Sequence, residues 1–235
     1  MLTIMNGIFS LTFATICFLV GLTIASRYFK YKIKTFLFAG IAWMGLGEVW
    51  LGDGINFLVV LYTGKGLSPE IYVIITIVLI PFSTLAWMVA FTDLIMKEHQ
   101  KIILILFFIY GIEYEIILIY LLSIDPDLVV VFHNPADAEY QVIIMVFIIT
   151  YAIINLITGI LFARESLKSD KPEIKLKGKF LLVAFLSCFI GQLLDGLLRS
   201  NIVVLTIARL ILILSAFEFY YGFLLPNWMK KFILK

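Results

Sequence analysis

The chain has 235 residues, of which 63% are hydrophobic and only 14% are charged. Soluble domains are about 45–50% apolar and about 25% charged, so this composition excludes an ordinary soluble enzyme or regulatory domain. The net charge of +2 is too small to indicate a nucleic-acid partner.

The hydrophobic residues form seven apolar blocks, each about 20 residues long or longer, and about 20 apolar residues cross a bilayer as a helix. The short alternating segments of a membrane barrel are absent, so each block predicts a helix. We therefore predict an all-α, polytopic membrane protein: a single transmembrane domain over 1–235, a seven-transmembrane-helix bundle in contact with the lipid bilayer of the cell membrane. The predicted helices are 4–26, 35–61, 70–96, 102–122, 138–163, 180–198 and 202–225.

Basic residues are concentrated in alternate connections, in 27–34, 97–101, 164–179 and the tail 230–235. The other connections carry Lys65 and Arg199, and the fourth is acidic, with Asp125, Asp127, Asp137 and Glu139. The positive-inside rule then predicts an N-terminus outside and a C-terminus in the cytoplasm. Pro81 interrupts the third block and predicts a kink, which in a functional interpretation is a gating hinge.

Blocks two and six align without gaps, so that Gly47 matches Gly191 and Gly52 matches Gly196. Glu48 then falls on Gln192. The match predicts a 3+1+3 arrangement, in which two parallel triplets of helices flank a linking helix, as in some transporters. Unrelated helices with similar packing chemistry would give the same matches.

Polar residues inside the blocks are the candidate functional groups, because a charge at bilayer depth costs a few kcal/mol on insertion scales. The candidate ligand site comprises Glu48, Asp53, Asp195 and Arg209 in the outer half of the bundle, with Trp43 and Trp50 as aromatic walls. The alternative is a purely structural buried pair of Arg209 with one carboxylate. Other polar residues within blocks are Glu113, Glu115, Asn155, Gln192 and Glu218.

No sequence motif of a hydrolase, nucleotide site or metal site is present. His99 and His133 lie in connections on opposite sides of the membrane, which argues against a histidine metal site. The seventh block has no lysine in its interior, so a retinal Schiff base there is excluded. We expect no catalytic residue, metal or cofactor.

The seventh block closes with an aromatic and glycine segment, then Pro226, Trp228, Lys230 and Lys231. This exit and the seven-span layout resemble the seven-helix transmembrane input modules that precede histidine kinases in prokaryotic sensors. The resemblance implies a signalling role. We expect no output domain after this exit, so signalling would require a separate partner.

These observations predict a stand-alone seven-helix receptor or sensor-like module that binds a small polar or cationic ligand. The basic segment 164–179 is the candidate docking site for a cytoplasmic signalling partner. The alternative is that it is only an orientation signal beside anionic lipids. One alternative is a small solute or proton-coupled transporter. Another is an intramembrane hydrolase that uses Asp53 and Asp195, which must then lie within about 9.5 Å of each other.

Overall fold

The structure is a computed structural model that describes residues 2–135, 137–197 and 202–234, and most of these residues are helical. The helices are α1 Leu2–Tyr31, α2 Lys34–Leu46, α3 Glu48–Thr63, α4 Pro69–Ile77, α5 Ile80–Ile95, α6 Gln100–Ile124, α7 Val142–Leu167, α8 Pro172–Leu197, α9 Ile202–Leu224 and α10 Asn227–Ile233. Two antiparallel strands, β1 Val130–Asn134 and β2 Asp137–Tyr140, form a hairpin between α6 and α7.

Within the described residues, six helical stretches are long and apolar enough to cross a membrane. Five are formed by α1, α6, α7, α8 and α9, and the sixth by α4 and α5 together. The pair α2 and α3 passes the same test but is bent by 41° at Gly47. The chain is therefore a multi-pass helical membrane protein, as the apolar blocks predicted.

Several predicted helix boundaries need changes: the first helix runs on to Tyr31, and the predicted helix 70–96 is divided into α4 and α5. Residues 138–140, predicted to start the fifth helix, belong to strand β2, and α7 begins only at Val142. The predicted helix 35–61 is two helices. The basic segment 164–179 is mostly helical, because α7 continues to Leu167 and α8 begins at Pro172. Arg199 and the end of the sixth block at 198 lie outside the described residues.

Small residues allow α1 and α2 to cross at close range. A side chain at Gly21 would meet the Gly40 carbonyl oxygen at 2.6 Å, and one at Gly40 would meet the Ala25 amide nitrogen at 2.6 Å. Such close approach is how small residues support helix association in lipid, where dispersion replaces the hydrophobic effect. This crossing fixes α1 against α2 and so places α1 beside the polar cluster described below.

The connections meet at two ends of the bundle. At the end that carries β1 and β2, here called the hairpin end, Asn56 Nδ2 donates to the Pro135 carbonyl at 3.0 Å, and Asn56 Oδ1 accepts from the Leu67 amide at 2.7 Å. At the opposite end, Lys230 pairs with Glu173, and Thr35 donates to Asp93 at 3.3 Å. Asn56 therefore ties the connection after α3 to the hairpin.

Candidate functional site

Arg209 is the centre of a polar cluster in the half of the bundle next to the hairpin end. Its side chain is fully buried, at 0% exposure. Arg209 Nε lies 3.1 Å from Asp195 Oδ1 on α8, and Nη2 lies 3.6 Å from Asp53 Oδ2 on α3. Nη2 also donates a hydrogen bond of 2.6 Å to Asn6 Oδ1 on α1. One guanidinium thus joins α1, α3, α8 and α9.

Each carboxylate of this cluster also accepts a hydrogen bond from a neutral aromatic side chain. Trp50 Nε1 donates to Asp195 Oδ2 at 3.0 Å, and the Tyr72 hydroxyl donates to Asp53 Oδ1 at 2.6 Å. The Arg209 Cζ atom lies 5.8 Å from the centre of the Trp50 ring. Hydrogen bonds to charged groups are about twice as strong as neutral ones, so these contacts hold the two carboxylates in fixed positions.

A cavity of about 400 Å³ lies beside the cluster and extends to the hairpin. Its polar or aromatic wall residues include Trp50, Asp53, Tyr72, Ser83, Thr84, His133, Glu139, Tyr140, Tyr151, Asn155, Gln192 and Asp195. His133 Nε2 and Glu139 Oε2 are 2.6 Å apart, and both side chains are exposed, so the cavity reaches the surface there. Pockets for small molecules occupy about 300–1,000 Å³, so this cavity has ligand size.

Tyr151 shows that the cavity wall contains unused hydrogen-bonding capacity. The residue is 2% exposed, and its hydroxyl group has no hydrogen-bond partner among the described residues. The amide oxygen of Asn155 is likewise buried without such a partner. Buried polar groups are nearly always satisfied by protein, water or ligand, so these two groups are suited to contact a molecule in the cavity.

A second cavity of about 50 Å³ adjoins the first and shares Leu46, Ser83, Ala152, Asn155 and Gln192 with it. Trp43 lines this smaller space. Its ring stacks on Phe219 at 3.8 Å between centroids. Trp43 is therefore placed away from the Arg209 cluster, whereas Trp50 belongs to it.

Glu48 is also absent from the walls of the larger cavity. Helix α4 ends at Ile77 and α5 begins at Ile80, and Pro81 prevents the usual hydrogen bond to the Ile77 carbonyl. The Tyr114 hydroxyl donates to that carbonyl at 3.1 Å, while Glu48 Oε1 accepts from the Leu79 amide at 2.9 Å. Glu48 thus satisfies the backbone of an interrupted helix.

Glu48 also connects two places where a membrane-spanning helix is interrupted. It is the first residue of α3, directly after the bend at Gly47, and it bonds the break between α4 and α5. Its Oε2 atom is buried without a hydrogen-bond partner among the described residues. Of the six predicted site residues, the structure brings Asp53, Asp195, Arg209 and Trp50 together and separates Glu48 and Trp43 from them.

Several residues of the site were not predicted from the sequence. Asn6 is a polar side chain in the first apolar block, which is a usable signal because it needs a partner in the membrane. Tyr72 and Tyr140 gave no signal, since tyrosine is common near the ends of transmembrane helices. The cavity wall contributed by the hairpin required knowing that the connection folds back over the bundle.

Comparison with protein-family models, with curated proteins and with solved structures gives no match to this chain. The structure alone therefore defines the class of protein. It is a multi-pass helical membrane protein with a ligand-sized cavity beside a buried cluster of carboxylates and a guanidinium group.

Proposed function

We propose that this protein is a seven-helix membrane receptor, or sensor-like module, that binds a small polar or cationic ligand in the larger cavity. The observation that carries this proposal is that Asp53, Asp195 and Trp50 line one ligand-sized cavity that reaches the surface, while the buried Arg209 contacts both carboxylates. A buried ion pair without function would need no adjoining cavity of this size.

The total is seven membrane spans if α2 and α3 are counted as one bent span. The positive-inside rule then predicts that the hairpin end lies outside the cell and that the basic connections lie in the cytoplasm. The N-terminus is outside, the C-terminus is cytoplasmic, and the cavity opens outward from a cell membrane. In the proposed 3+1+3 arrangement α6 is the linking helix, and the second span, formed by α2 and α3, corresponds to α8. These two spans differ in shape, because the second span is bent and α8 is continuous.

The walls suggest the chemistry of the ligand. Two carboxylates lie close to one guanidinium, and Glu139 lies at the mouth beside His133. Aromatic rings, among them Trp50, provide faces that attract cations. These groups favour a small molecule with hydrogen-bond donors or a positive charge over an anionic one.

The interrupted helix offers a mechanism. Ile80, Ser83 and Thr84, which directly follow the break between α4 and α5, are part of the cavity wall. A ligand that binds one arrangement of this wall better than another shifts the population of helix arrangements. The shift is transmitted to the cytoplasmic end, where a signalling partner docks at 164–179. The exit at Pro226 and Trp228 that resembles sensor input modules lies at that same end.

Ligand-dependent stabilisation tests the proposal. Small organic amines and polar metabolite-like compounds are screened for an increase in the Tm of the purified protein. A ligand at 100 times its Kd adds about 2.7 kcal/mol of stability, which is readily measured. The variant Ala152→Phe fills the cavity without removing a charge and is expected to abolish the increase.

The matched control for that screen is Leu214→Phe, since Leu214 is 58% exposed in the middle of α9 and is not part of the cavity wall. It should respond to ligand like the wild type. A stabilising compound that acts equally on Ala152→Phe would bind elsewhere and contradict the proposed site.

A transporter is the second candidate, and the two interrupted spans that meet at Glu48 favour it. Discontinuous helices commonly build substrate and ion sites in secondary transporters. In that case proteoliposomes take up solute, and Glu48→Gln or Asp195→Asn abolishes uptake while the protein still folds. Binding without any flux above that of empty vesicles supports the receptor instead.

The intramembrane hydrolase is not favoured. Asp53 and Asp195 are neighbours around Arg209, so their separation does not exclude it. However, both carboxylates contact the same guanidinium and an aromatic donor, whereas acid and base catalysis requires two carboxyl groups in different environments.

A further inference from the structure

Helix α8 shows how the larger and the smaller cavity follow one another through the bundle. Asp195 lines only the larger cavity, Gln192 lines both, and Cys188 lines only the smaller one. Residues spaced three and four apart lie on one face of a helix, so this single face of α8 passes both cavities. Cys188 is about 10 Å from Asp195 along the helix axis, at 1.5 Å per residue. The smaller cavity therefore lies deeper, on the side of the polar cluster that faces away from the hairpin end.

The chemistry of the walls changes between the two cavities. Carboxyl groups of Asp53, Asp195 and Glu139 line the larger cavity. The residues that line only the smaller cavity are apolar or aromatic, among them Ala42, Trp43, Trp87, Phe185 and Phe219. A ligand that extends from the larger cavity into the smaller one must therefore change from polar to apolar along its length.

The size of the smaller cavity limits what can enter it. Its volume is about 50 Å³. An apolar cavity of about 150 Å³ takes up a benzene molecule, so a space one third as large admits the end of an alkyl chain but not an aromatic ring.

Charge decides which polar group suits the other end. Asp53, Asp195 and Arg209 contact one another and together carry one negative formal charge in excess. The ring of Trp50 lines the larger cavity beside these carboxylates, and the faces of aromatic rings attract cations. An ammonium group at this position balances the charge and can donate several hydrogen bonds.

Given the receptor function proposed above, we propose that the ligand is an amphipathic organic amine that occupies both cavities. Its ammonium group lies beside Asp53 and Asp195 in the larger cavity, and its short alkyl end enters the smaller cavity between Trp43 and Phe185. Amines that reach only the larger cavity bind less tightly, so the smaller cavity sets the preferred chain length.

A series of straight-chain primary amines, from butylamine to decylamine, tests the assignment. Such amines are protonated near neutral pH, like the side chain of lysine. Kd is obtained from the concentration dependence of the rise in Tm of the purified protein. Each methylene group that becomes buried should lower Kd about fourfold, until the smaller cavity is full. Longer chains should then bind more weakly, and the straight-chain alcohol of the preferred length should not bind.

The variant Ala42→Leu fills the smaller cavity and leaves the walls of the larger one unchanged, since Ala42 lines only the smaller cavity. It should shift the preferred chain to a shorter one and weaken binding of the wild type's preferred amine at least about tenfold. Butylamine should bind as it does to the wild type, which also shows that the variant folds. Ala42→Val makes a smaller change in the same direction and should shift the preference less.

The matched control is Ile41→Leu, because Ile41 is 38% exposed on the same helix and lines neither cavity. It should reproduce the wild-type series. Amines that bind without a preferred length, or a preference unchanged in Ala42→Leu, would refute the role of the smaller cavity and leave the receptor proposal intact. If no amine binds while a polar compound stabilises the protein and loses its effect in Ala152→Phe, the amine assignment alone fails. If no compound of either kind binds, the receptor proposal fails with it.

Discussion

Replacement of Arg209 by methionine is expected to lower the free energy of unfolding by about 3–5 kcal/mol, because it leaves buried carboxylates without their cation. Arg209 is 0% exposed and contacts Asp53, Asp195 and Asn6, so its replacement removes the charged partner of both carboxylates and the donor to Asn6 at once. Since folded proteins are stable by only about 5–15 kcal/mol, such a loss is visible directly in the Tm and in the yield of monodisperse protein.

A triple variant separates charge balance from packing. Arg209→Met combined with Asp53→Asn and Asp195→Asn removes all three charges while keeping similar volumes. It should recover much of the stability lost in the single variant. Removing all the charges of a buried ion pair is often tolerated, whereas removing one partner leaves the other charge buried and unpaired. A single variant as stable as the wild type would show that the cluster does not hold the bundle together.

Replacement of Glu48 by leucine is expected to cost about 1–3 kcal/mol, because the Leu79 amide loses its acceptor at the break between α4 and α5. Glutamine at the same position keeps a side-chain oxygen for that amide, so Glu48→Gln should cost less. The measurement is thermal unfolding of both variants in the same detergent.

Tyr114→Phe tests the other half of the break, since it removes the donor to the Ile77 carbonyl. We expect a loss similar to that of Glu48→Leu. If Glu48→Gln and Glu48→Leu were equally destabilised, the hydrogen bond to Leu79 would not be what Glu48 contributes.

Hydrophobicity made much of the helical architecture predictable. The predicted helix 102–122, for example, lies within α6, because a long apolar segment has few other stable forms in a bilayer. The bend at Gly47 was not predictable, since glycines in the apolar block 35–61 equally suit close packing in a straight helix. The hairpin was missed because residues 138–140 were assigned to a helix from apolarity alone.

The candidate site was predictable where charge demanded a partner. Asp53, Asp195 and Arg209 share one environment because each is costly in lipid unless the others are near. Glu48 looked equivalent in the sequence, being another carboxyl group within an apolar block. What distinguishes Glu48 is its hydrogen bond with the Leu79 amide, at the break between α4 and α5. A contact between residues so far apart in the chain leaves no signal in the local sequence.

The most direct test of the proposed receptor is access to the cavity from outside the cell. In a background with Cys17 and Cys188 replaced by alanine, Ala152→Cys places a thiol in the cavity wall, about 15 Å along α7 from Val142. A membrane-impermeant thiol reagent added outside should label it, while Leu214→Cys at mid-span stays unlabelled. Absence of labelling at Ala152→Cys, or labelling only from the cytoplasmic side, would contradict an outward-facing ligand site.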